Sequence, residues 1–235
     1  MAASAARATD GVVRSATGYA CRTAMQCWLP VPAGVDPCAI ASASDNLPDA
    51  WQAVAPGLAN HPGARVLVVG GAIKSIGLYA AAIAVALGSS GVDYFDRNPQ
   101  RLTIAEKVGA RALEGSFATS SPPGGYPVVV DASNDGRGLA FALRATSVGG
   151  VCTSLGIYPR KRTAIPMMRM YSHSLTLRNG VSSARPNIPA LLELVRSAKL
   201  RPELITTLRA PWAQAHEAFL QESVKVVVTR DPLIQ

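Results

Sequence analysis

The chain has 235 residues, of which 49% are hydrophobic and only 16% are charged, so it is a globular protein with a substantial core and not a disordered one. The net charge of +8 would suit a polyanionic partner, but the 23 basic residues are scattered, and we expect no nucleic-acid binding. The longest apolar run, Ile76 to Leu87, is too short to cross a bilayer, so we expect no membrane association.

The cysteines and the first residues bear on location. Cys21, Cys27, Cys38 and Cys152 form no CxxC pair and show no regular spacing, which argues against a disulfide framework and a structural zinc site. Residues 1–28 show no clear period and lack the apolar core of a secretion signal, so we leave them as an unassigned leader. A cytoplasmic location fits these features best.

Residues 29–60 contain two predicted helix starts. Prolines give an extended lead-in from Leu29. Asp36-Pro37 then predicts a helix with proline at its first position, and Leu47-Pro48 predicts a second helix. We interpret residues 29–60 as linker helices before the main domain.

The stretch from Arg65 to Gly88 carries the strongest structural signal. The apolar run Val66 to Val69 predicts a buried strand, which breaks at Gly70-Gly71 and is followed by an Ala/Ile/Leu helix starting near Ser75. A strand, a glycine turn and a helix in this order place backbone N–H groups and a helix N-terminus against a phosphate.

An acidic residue follows at a spacing typical of dinucleotide-binding proteins. Val92 to Phe95 predicts the next strand, and it ends at Asp96, nineteen residues beyond Gly77. A carboxylate at this position can bind the ribose hydroxyls of a dinucleotide. It favours NAD over NADP because it would repel a 2′-phosphate, although Arg97 and Arg101 are cations that can accept one.

The glycine fingerprint is incomplete. Counting back from Gly77, the two positions that G-x-G-x-x-G fills with glycine hold Ala72 and Lys74. Gly70 and Gly71 come earlier, so we predict a longer phosphate-binding turn to which Lys74 adds charge. The alternative is that the two glycines merely end a core strand.

Beyond Asp96, short apolar strands alternate with helices. The predicted helices are Gln100–Val108, Gly138–Thr146 and Ile188–Ala198, and the predicted strands are Arg111–Leu113, Pro127–Asp131, Val151–Ile157 and Leu175–Leu177. The basic, Met-containing segment Tyr158 to His173 is interpreted as a connection. In the tail, Ala213–Gln221 predicts a helix and Val224–Thr229 a strand that need not join the same sheet.

This alternation predicts an α/β fold. Strands joined through helices form βαβ units and a parallel sheet, and six strands with a pause at the midpoint are the doubly wound Rossmann arrangement. We assign residues 61–200 to this dinucleotide-binding domain and residues 201–235 to a C-terminal helix and strand.

In their order and spacing, these segments resemble the medium-chain, zinc-type alcohol dehydrogenases and the related polyol dehydrogenases, from about Leu29 to Pro232. The matching segments are Pro32 to Asp36, Ser44 to Pro48, Ser75 to Gly77, Asp96 to Leu102, Val130 to Ala132, Gly149 to Val151 and Lys225 to Pro232.

The resemblance implies a six-stranded doubly wound domain with short remnants of a GroES-like catalytic domain at both ends. It also implies a bound dinucleotide, NAD rather than NADP, held by Gly70, Gly71, Lys74, Ser75, Ile76, Gly77, Asp96, Arg101, Ser133 and Gly156. In the family the sixth strand pairs with its mate across a two-fold axis. By analogy we expect a homodimer through the edge Ser174 to Gly180.

The chain departs from the family at its start. There the family has a domain that supplies Cys and His ligands of the catalytic zinc, which residues 1–28 do not resemble. Asp45 lies where some members place a further zinc ligand, but one carboxylate is not a zinc site. Asp45 can instead cap the helix that begins near Pro48. The sequence therefore predicts a truncated chain without stoichiometric zinc and gives no catalytic residue.

Three functions are compatible with these features. The first is an NAD(H)-binding oxidoreductase of the alcohol or polyol dehydrogenase type. The second is a catalytically inactive nucleotide-binding or assembly remnant, which the missing zinc ligands favour. The third is an S-adenosylmethionine methyltransferase, which also pairs a glycine turn with an acid after its second strand, but the C-terminal matches argue against it.

Overall fold

A computed structural model describes residues 29–159 and 162–230 of the chain. The leader predicted for residues 1–28 lies outside the described residues. So do Arg160 and Lys161 of the basic segment, and the last residues of the predicted C-terminal match, which ends at Pro232.

The described residues alternate between helices and strands. The helices are α1 (Asn46–Asn60), α2 (Lys74–Ala86), α3 (Pro99–Lys107), α4 (Gly136–Ala145), α5 (Met167–His173), α6 (Ala184–Arg196) and α7 (Ala215–Leu220). The strands are β1 (Val66–Val69), β2 (Val92–Asp96), β3 (Arg111–Glu114), β4 (Tyr126–Asp131), β5 (Thr146–Ser154), β6 (Thr176–Asn179), β7 (Leu208–Pro211) and β8 (Val226–Thr229). Short 3-10 helices lie at Pro202–Ile205 and Trp212–Gln214.

Six of these strands form one parallel sheet in the order β3-β2-β1-β4-β5-β6. The order reverses between β1 and β4, which leaves a crevice at the carboxyl ends of these two strands. This confirms the predicted doubly wound α/β fold. The tail strand β8 pairs with β7 in a separate two-stranded sheet, as its sequence allowed.

Helices cover both faces of the sheet, and β1 shows why. Val66 and Val68 pack into the hydrophobic cluster that contains α1 and α2, whereas Leu67 and Val69 pack into the cluster that contains α4. All four side chains are fully buried. Because successive strand side chains point to opposite faces, a continuous apolar run is the pattern required of a strand covered on both sides.

The helix predicted at Asp36-Pro37 is wrong. Residues 37–45 form successive turns, and their hydrogen bonds join residues three apart, as from the Ala39 N–H to the Asp36 carbonyl at 3.0 Å. The Asp36 carboxylate accepts from the Cys38 N–H at 2.8 Å, a local bond that competes with helix formation. The segment buries only Ala39 and Ser42, so too little apolar surface stabilises a helix there.

The segment from Tyr158 to His173, interpreted as a connection, contains the helix α5. Ser174 ends this helix in the left-handed conformation, with φ of 51°. None of its residues is buried, so no amphipathic period in the sequence marks it.

An ionic cluster joins the strands at the amino edge of the sheet. Asp93, only 3% exposed, accepts bonds from Arg65 at 2.7 Å, from Arg111 at 2.7 and 3.0 Å, and from the Tyr126 hydroxyl. Burial alone would raise the pKa of Asp93, but the bonds from Arg111 and Tyr126 outweigh it and hold the pKa below its ordinary value. The cluster links β2 to the starts of β1, β3 and β4.

We therefore expect Asp93→Asn to lower the free energy of unfolding at pH 7 by about 2 kcal/mol, because charge-assisted hydrogen bonds are lost. Asp93 ionises at lower pH in the folded chain than in the unfolded one, so its stabilisation is present at neutral pH and is lost as the pH falls below the ordinary value of 3.8. Urea unfolding at pH 7 and at pH 3 measures the difference.

The exposed pair Arg196–Glu193 supplies the control, since Glu193→Gln should change stability by less than about 0.5 kcal/mol. Equal stability of wild type and Asp93→Asn at pH 7 would contradict this role of the cluster.

Candidate functional site

The glycine turn is hydrogen-bonded to both neighbouring strands. The Gly70 N–H donates to the Phe95 carbonyl at 2.8 Å, and the Ala72 N–H donates to the Ser133 carbonyl at 3.1 Å. The first bond of α2 runs from the Gly77 N–H to the Ile73 carbonyl. The N–H groups of residues 74–76 precede it and have no partner within the helix, which is the arrangement that binds anions.

The two glycines are required by close contacts. A Cβ on Gly70 would lie 2.3 Å from Asp96 Oδ2, and a Cβ on Gly71 would lie 2.6 Å from the Ser133 Cα. The second contact is with backbone, which cannot move aside as a flexible side chain can. Gly70-Gly71 therefore does more than end a strand: it lets β1 turn between the ends of β2 and β4.

A space of about 590 Å³, the glycine cleft, opens beside this turn. Six of the predicted cofactor residues line it: Gly70, Gly71, Lys74, Asp96, Arg101 and Ser133. The lining also includes Arg97, which the sequence offered as a cation for a 2′-phosphate, and residues not predicted to contact the cofactor, among them Ser116, Asn134, Asp135 and Arg137. Arg137 and Asp135 pair with each other at 2.8 Å.

Four predicted residues do not line the glycine cleft. Ser75 accepts a bond from Asn46 Nδ2 at 3.2 Å, which joins the starts of α1 and α2. Ile76 packs against the core, and a Cβ on Gly77 would lie 2.9 Å from the Ala132 Cβ. Gly156 lies against the Tyr158 ring, at the end of β5.

Asp96 is held from within the protein. Arg101 binds it through two nitrogens at 2.7 and 2.8 Å, and the N–H groups of Arg97 and Asn98 donate to it at 2.7 and 2.9 Å. The Tyr94 hydroxyl adds a bond at 3.2 Å, and the Asp96 side chain is 1% exposed. The carboxylate thus fixes the loop after β2, and a ribose would have to displace one of these donors.

A second buried carboxylate, Asp131, connects the ends of β4 and β5. It is fully buried and accepts bonds from the Ser133 hydroxyl at 2.5 Å, from the Ser154 hydroxyl at 2.7 Å and from the Tyr158 hydroxyl. Burial and the nearby Asp131 raise the pKa of Tyr158, which therefore stays protonated and donates. The sequence analysis missed this network, since its signal, an acid ending an apolar strand, was assigned only to the fold.

Each hydroxyl bound to Asp131 belongs to a different cavity. Ser133 lines the glycine cleft, and Ser154 lines a space of about 500 Å³ between α1 and the ends of β5 and β6, the Asp49 cavity. Tyr158 lines a third space of about 790 Å³ beside the start of α4, the Tyr158 cavity. Asp131 therefore fixes the walls between three neighbouring cavities.

The Asp49 cavity contains a carboxylate in an unfavourable setting. Asp49 lies in the first turn of α1, is half-buried and has no hydrogen bond or ion pair from its side chain within residues 29–159 and 162–230. Burial, and then repulsion from Asp45, raise the pKa of Asp49 to about 6. Gln52, Arg178 and Asn179 line the same cavity.

The surroundings of Asp45 do not fit zinc. Asp45 occupies the N-cap position of α1 but makes no side-chain capping bond, and its side chain is exposed. The ionisable group opposite Asp45 is Lys225. Burial lowers the pKa of Lys225, and the negative charge of Asp45 partly offsets this change. Among the residues that the structure describes, no three His, Cys, Asp or Glu side chains are grouped so that they could hold a metal ion.

The same part of the chain contains no helix that is long and apolar enough to cross a membrane.

Comparison with known proteins identifies the family. A family model described as zinc-binding dehydrogenase matches residues 75–197, more than half of the chain. The chain belongs to the zinc-binding dehydrogenase family. This confirms the resemblance to medium-chain alcohol dehydrogenases and overturns the methyltransferase alternative.

Individual members of the zinc-binding dehydrogenase family are similar at low identity. A probable zinc-binding alcohol dehydrogenase of Mycobacterium tuberculosis is 26% identical over 81% of this chain and 50% of its own length. The alcohol dehydrogenase TADH from Thermus sp. ATN1 is 26% identical with a TM-score of 0.73, over 85% of this chain and 62% of that one. The chain thus spans about half to three fifths of the length of these relatives.

Two further solved structures share the fold and hold dinucleotides. An alcohol dehydrogenase from Escherichia coli, complexed with NADH, is 18% identical with a TM-score of 0.70, over 82% of this chain and 57% of that one. A protein described as a zinc-binding dehydrogenase from Sinorhizobium meliloti, bound to NADP, is 20% identical with a TM-score of 0.72, over 85% of this chain and 61% of that one.

The strained setting of Asp49 leads to a stability prediction. Its pKa is higher in the folded chain than the ordinary value of 3.8, so the cost of its ionisation to folding grows as the pH rises from about 3.8 to about 6 and is complete above that. We expect Asp49→Asn to raise the free energy of unfolding at pH 7.5 by about 1 kcal/mol, a value reduced because part of the side chain reaches solvent. Below pH 4 the gain should vanish, because the carboxyl is then protonated in both states.

Thermal or urea unfolding of both proteins at pH 7.5 and at pH 3.5 checks this. If Asp49→Asn instead lowered the free energy of unfolding at pH 7.5, the prediction would be contradicted, because Asp49 would then stabilise the fold.

Proposed function

We propose that the chain binds NAD(H) at the carboxyl edge of its six-stranded sheet, as the dinucleotide-binding part of a medium-chain alcohol or polyol dehydrogenase. The observation that carries this proposal is the glycine cleft. There Lys74, the first residue of α2, lines a space of about 590 Å³ between the ends of β1, β2 and β4, together with Gly70 and Gly71.

The cleft residues support a position for each half of the dinucleotide. The adenosine half would lie beside Asp96, with the pyrophosphate at the start of α2. Lys74 Nζ donates to the Ser223 carbonyl at 3.2 Å, so a phosphate would compete for that ammonium group. The nicotinamide half would lie over β4, β5 and β6, because the two halves of a doubly wound sheet each hold one nucleotide.

Of the two cavities on that half, the Asp49 cavity suits the nicotinamide better. It lies against α1, which packs beside α2 on the same face of the sheet and is joined to it by the Asn46–Ser75 bond. The Tyr158 cavity lies beside α4 on the other face. A pyrophosphate at the start of α2 would therefore lead towards the Asp49 cavity.

The preference for NAD over NADP remains a prediction. It is supported by Arg101, whose guanidinium is bound through two nitrogens to Asp96 and so is not available for a 2′-phosphate. Arg97 lines the same cleft with an exposed side chain, and relatives occur with NADH and with NADP. NADPH is therefore the comparison ligand in any titration.

A bound nicotinamide would supply hydride transfer to or from the substrate. The residues of this chain would bind and orient the dinucleotide. The start of α2 would bind the phosphates, Asp96 would bind a ribose, and the ends of β5 and β6 would hold the nicotinamide. Zinc completes such sites in the family, and the described residues offer no ligand set for it. Metal analysis of the purified chain tests the expected lack of stoichiometric zinc.

The second candidate function is nucleotide binding without catalysis, as an assembly partner. It is favoured by the same lack of a metal ligand set among the described residues. Production of NADH from NAD⁺ with a panel of alcohols and polyols separates the two. Turnover would support the dehydrogenase, and saturable binding without turnover would support the inactive alternative. The cytoplasmic location remains a prediction.

We expect saturable NADH binding by calorimetry or fluorescence, no binding of S-adenosylmethionine, and weakening of NADH binding by about tenfold in Asp96→Asn. The reason is that the substituted amide cannot accept from the ribose hydroxyls and the loop donors as a carboxylate does.

Asp93→Asn is the matched control. Asp93 lies on the same strand, binds an arginine through two nitrogens in the same way, and lies at the opposite edge of the sheet. The Asp93→Asn protein should be less stable than the wild type, but its affinity for NADH should stay within about twofold of the wild-type value. Absence of saturable NADH binding to the wild type would refute the proposal, and equal weakening by both substitutions would remove Asp96 from the site.

We also propose a homodimer through the β6 edge of the sheet. β6 is an outer strand with Thr176, Arg178 and Asn179 exposed, and an unpaired strand edge is a template for pairing. The neighbouring α5 exposes apolar side chains, with Met168 77% and Tyr171 84% exposed. A second copy that pairs along β6 would cover both features.

Light scattering after size exclusion should then give twice the chain mass of 24.5 kDa. Met168→Glu combined with Tyr171→Glu should raise the dimer dissociation constant by at least about tenfold, because it would bury unpaired charges. Phe219→Glu, at a side chain 68% exposed on α7, should leave the mass unchanged. A monomeric wild type, or a dimer that resists the double substitution, would contradict this interface.

A further inference from the structure

The Asp49 cavity has a negative group on one wall that the fold does not use. The Asp49 carboxylate caps no N–H group and pairs with no cation among the residues described. An unpaired, half-buried carboxylate costs stability, so its presence calls for a role outside folding. The cavity that it lines has a volume of about 500 Å³, which is large enough for an aromatic ring and its amide group.

The other walls of the cavity are the ends of two strands. Ser154 and Leu155 come from β5 and the loop after it, and Asn179 and Gly180 come from β6 and its loop. Their positions are fixed from behind, because Asn179 Nδ2 donates to the Ser154 and Gly156 carbonyls at 3.3 and 3.1 Å. A ligand in this cavity would therefore meet a rigid floor.

The charged groups around the cavity are unevenly placed, with both acids at the start of α1 and the two cations on other elements. Asp49 and Asp45 are one turn apart on α1, and their repulsion contributes to the shifted pKa of Asp49. Lys225 is opposite Asp45. Arg178, from β6, also lines the cavity, but it is exposed and forms no ion pair with Asp49. At pH 8 the wall formed by α1 is negative.

We propose that Asp49 makes this chain bind the oxidised form of the dinucleotide in preference to the reduced form. This rests on the proposed function, with the nicotinamide in the Asp49 cavity. The oxidised ring carries a positive charge and the reduced ring is neutral, while the rest of the molecule is the same. A carboxylate beside the ring therefore stabilises the oxidised form alone. Asp49 thus determines which redox state of the dinucleotide the chain prefers.

The test is the ratio of the NADH and NAD⁺ dissociation constants, measured by calorimetry at pH 8 on the full chain. Asp49→Asn should lower this ratio by about fivefold to tenfold, chiefly by weakening NAD⁺ binding. Gln52→Glu, which adds a carboxylate to the same wall one turn further on, should raise it. Glu193→Gln, on the exposed face of α6, should leave it unchanged.

ADP-ribose, which lacks the nicotinamide, isolates the effect. Its affinity should be the same for wild type and Asp49→Asn, and circular dichroism should show both to be folded. A ratio unchanged within about twofold in Asp49→Asn and Gln52→Glu, with both nucleotides bound, would overturn this inference and leave the proposed function intact. Failure of the wild type to bind either nucleotide would overturn the proposed function and this inference with it.

Discussion

The close approach of the Gly70-Gly71 turn to two neighbouring strands determines the shape of the carboxyl edge. A side chain on Gly70 would collide with Asp96, and one on Gly71 would collide with the Ser133 backbone. Because β1 turns in this narrow space, α2 begins between the ends of β2 and β4, and its first residue, Lys74, lines the cleft. The last glycine of the fingerprint, Gly77, lies in the first turn of α2 and allows that helix to pack against Ala132.

Three carboxylates at this edge have different electrostatic settings. Asp96 is neutralised by Arg101 and by backbone N–H groups, and Asp131 is satisfied by hydroxyl donors that line three cavities. Asp49 alone of the three lacks a partner among the described residues, which is why burial and repulsion raise its pKa. A buried or half-buried carboxylate without a cation lowers the stability of the fold. Asp96 therefore fixes a loop and Asp131 joins two strands, whereas Asp49 has no such partner and is available to a ligand.

The sequence was sufficient for the six-stranded sheet, because Val66 to Val69 and the strands like it are apolar runs between turn residues. The sequence also predicted six residues that line one cleft: Gly70, Gly71, Lys74, Asp96, Arg101 and Ser133. It failed at Asp36-Pro37, where a local side-chain bond prevailed over a proline helix signal, and at α5, which has no fully buried residue and so no clear period. The Asp131 network and the Asp49 cavity join residues distant in the chain, and only the register of β4, β5 and β6 brings them together.

We propose that the carboxyl edge holds one dinucleotide along the face covered by α1 and α2. A crystal structure of the chain with NADH tests it most directly. We predict that the pyrophosphate lies within hydrogen-bond distance of the N–H groups at the start of α2, and that the nicotinamide lies among Asp49, Ser154 and Asn179. A nucleotide bound in the Tyr158 cavity, or away from the glycine turn, would contradict this placement of the dinucleotide.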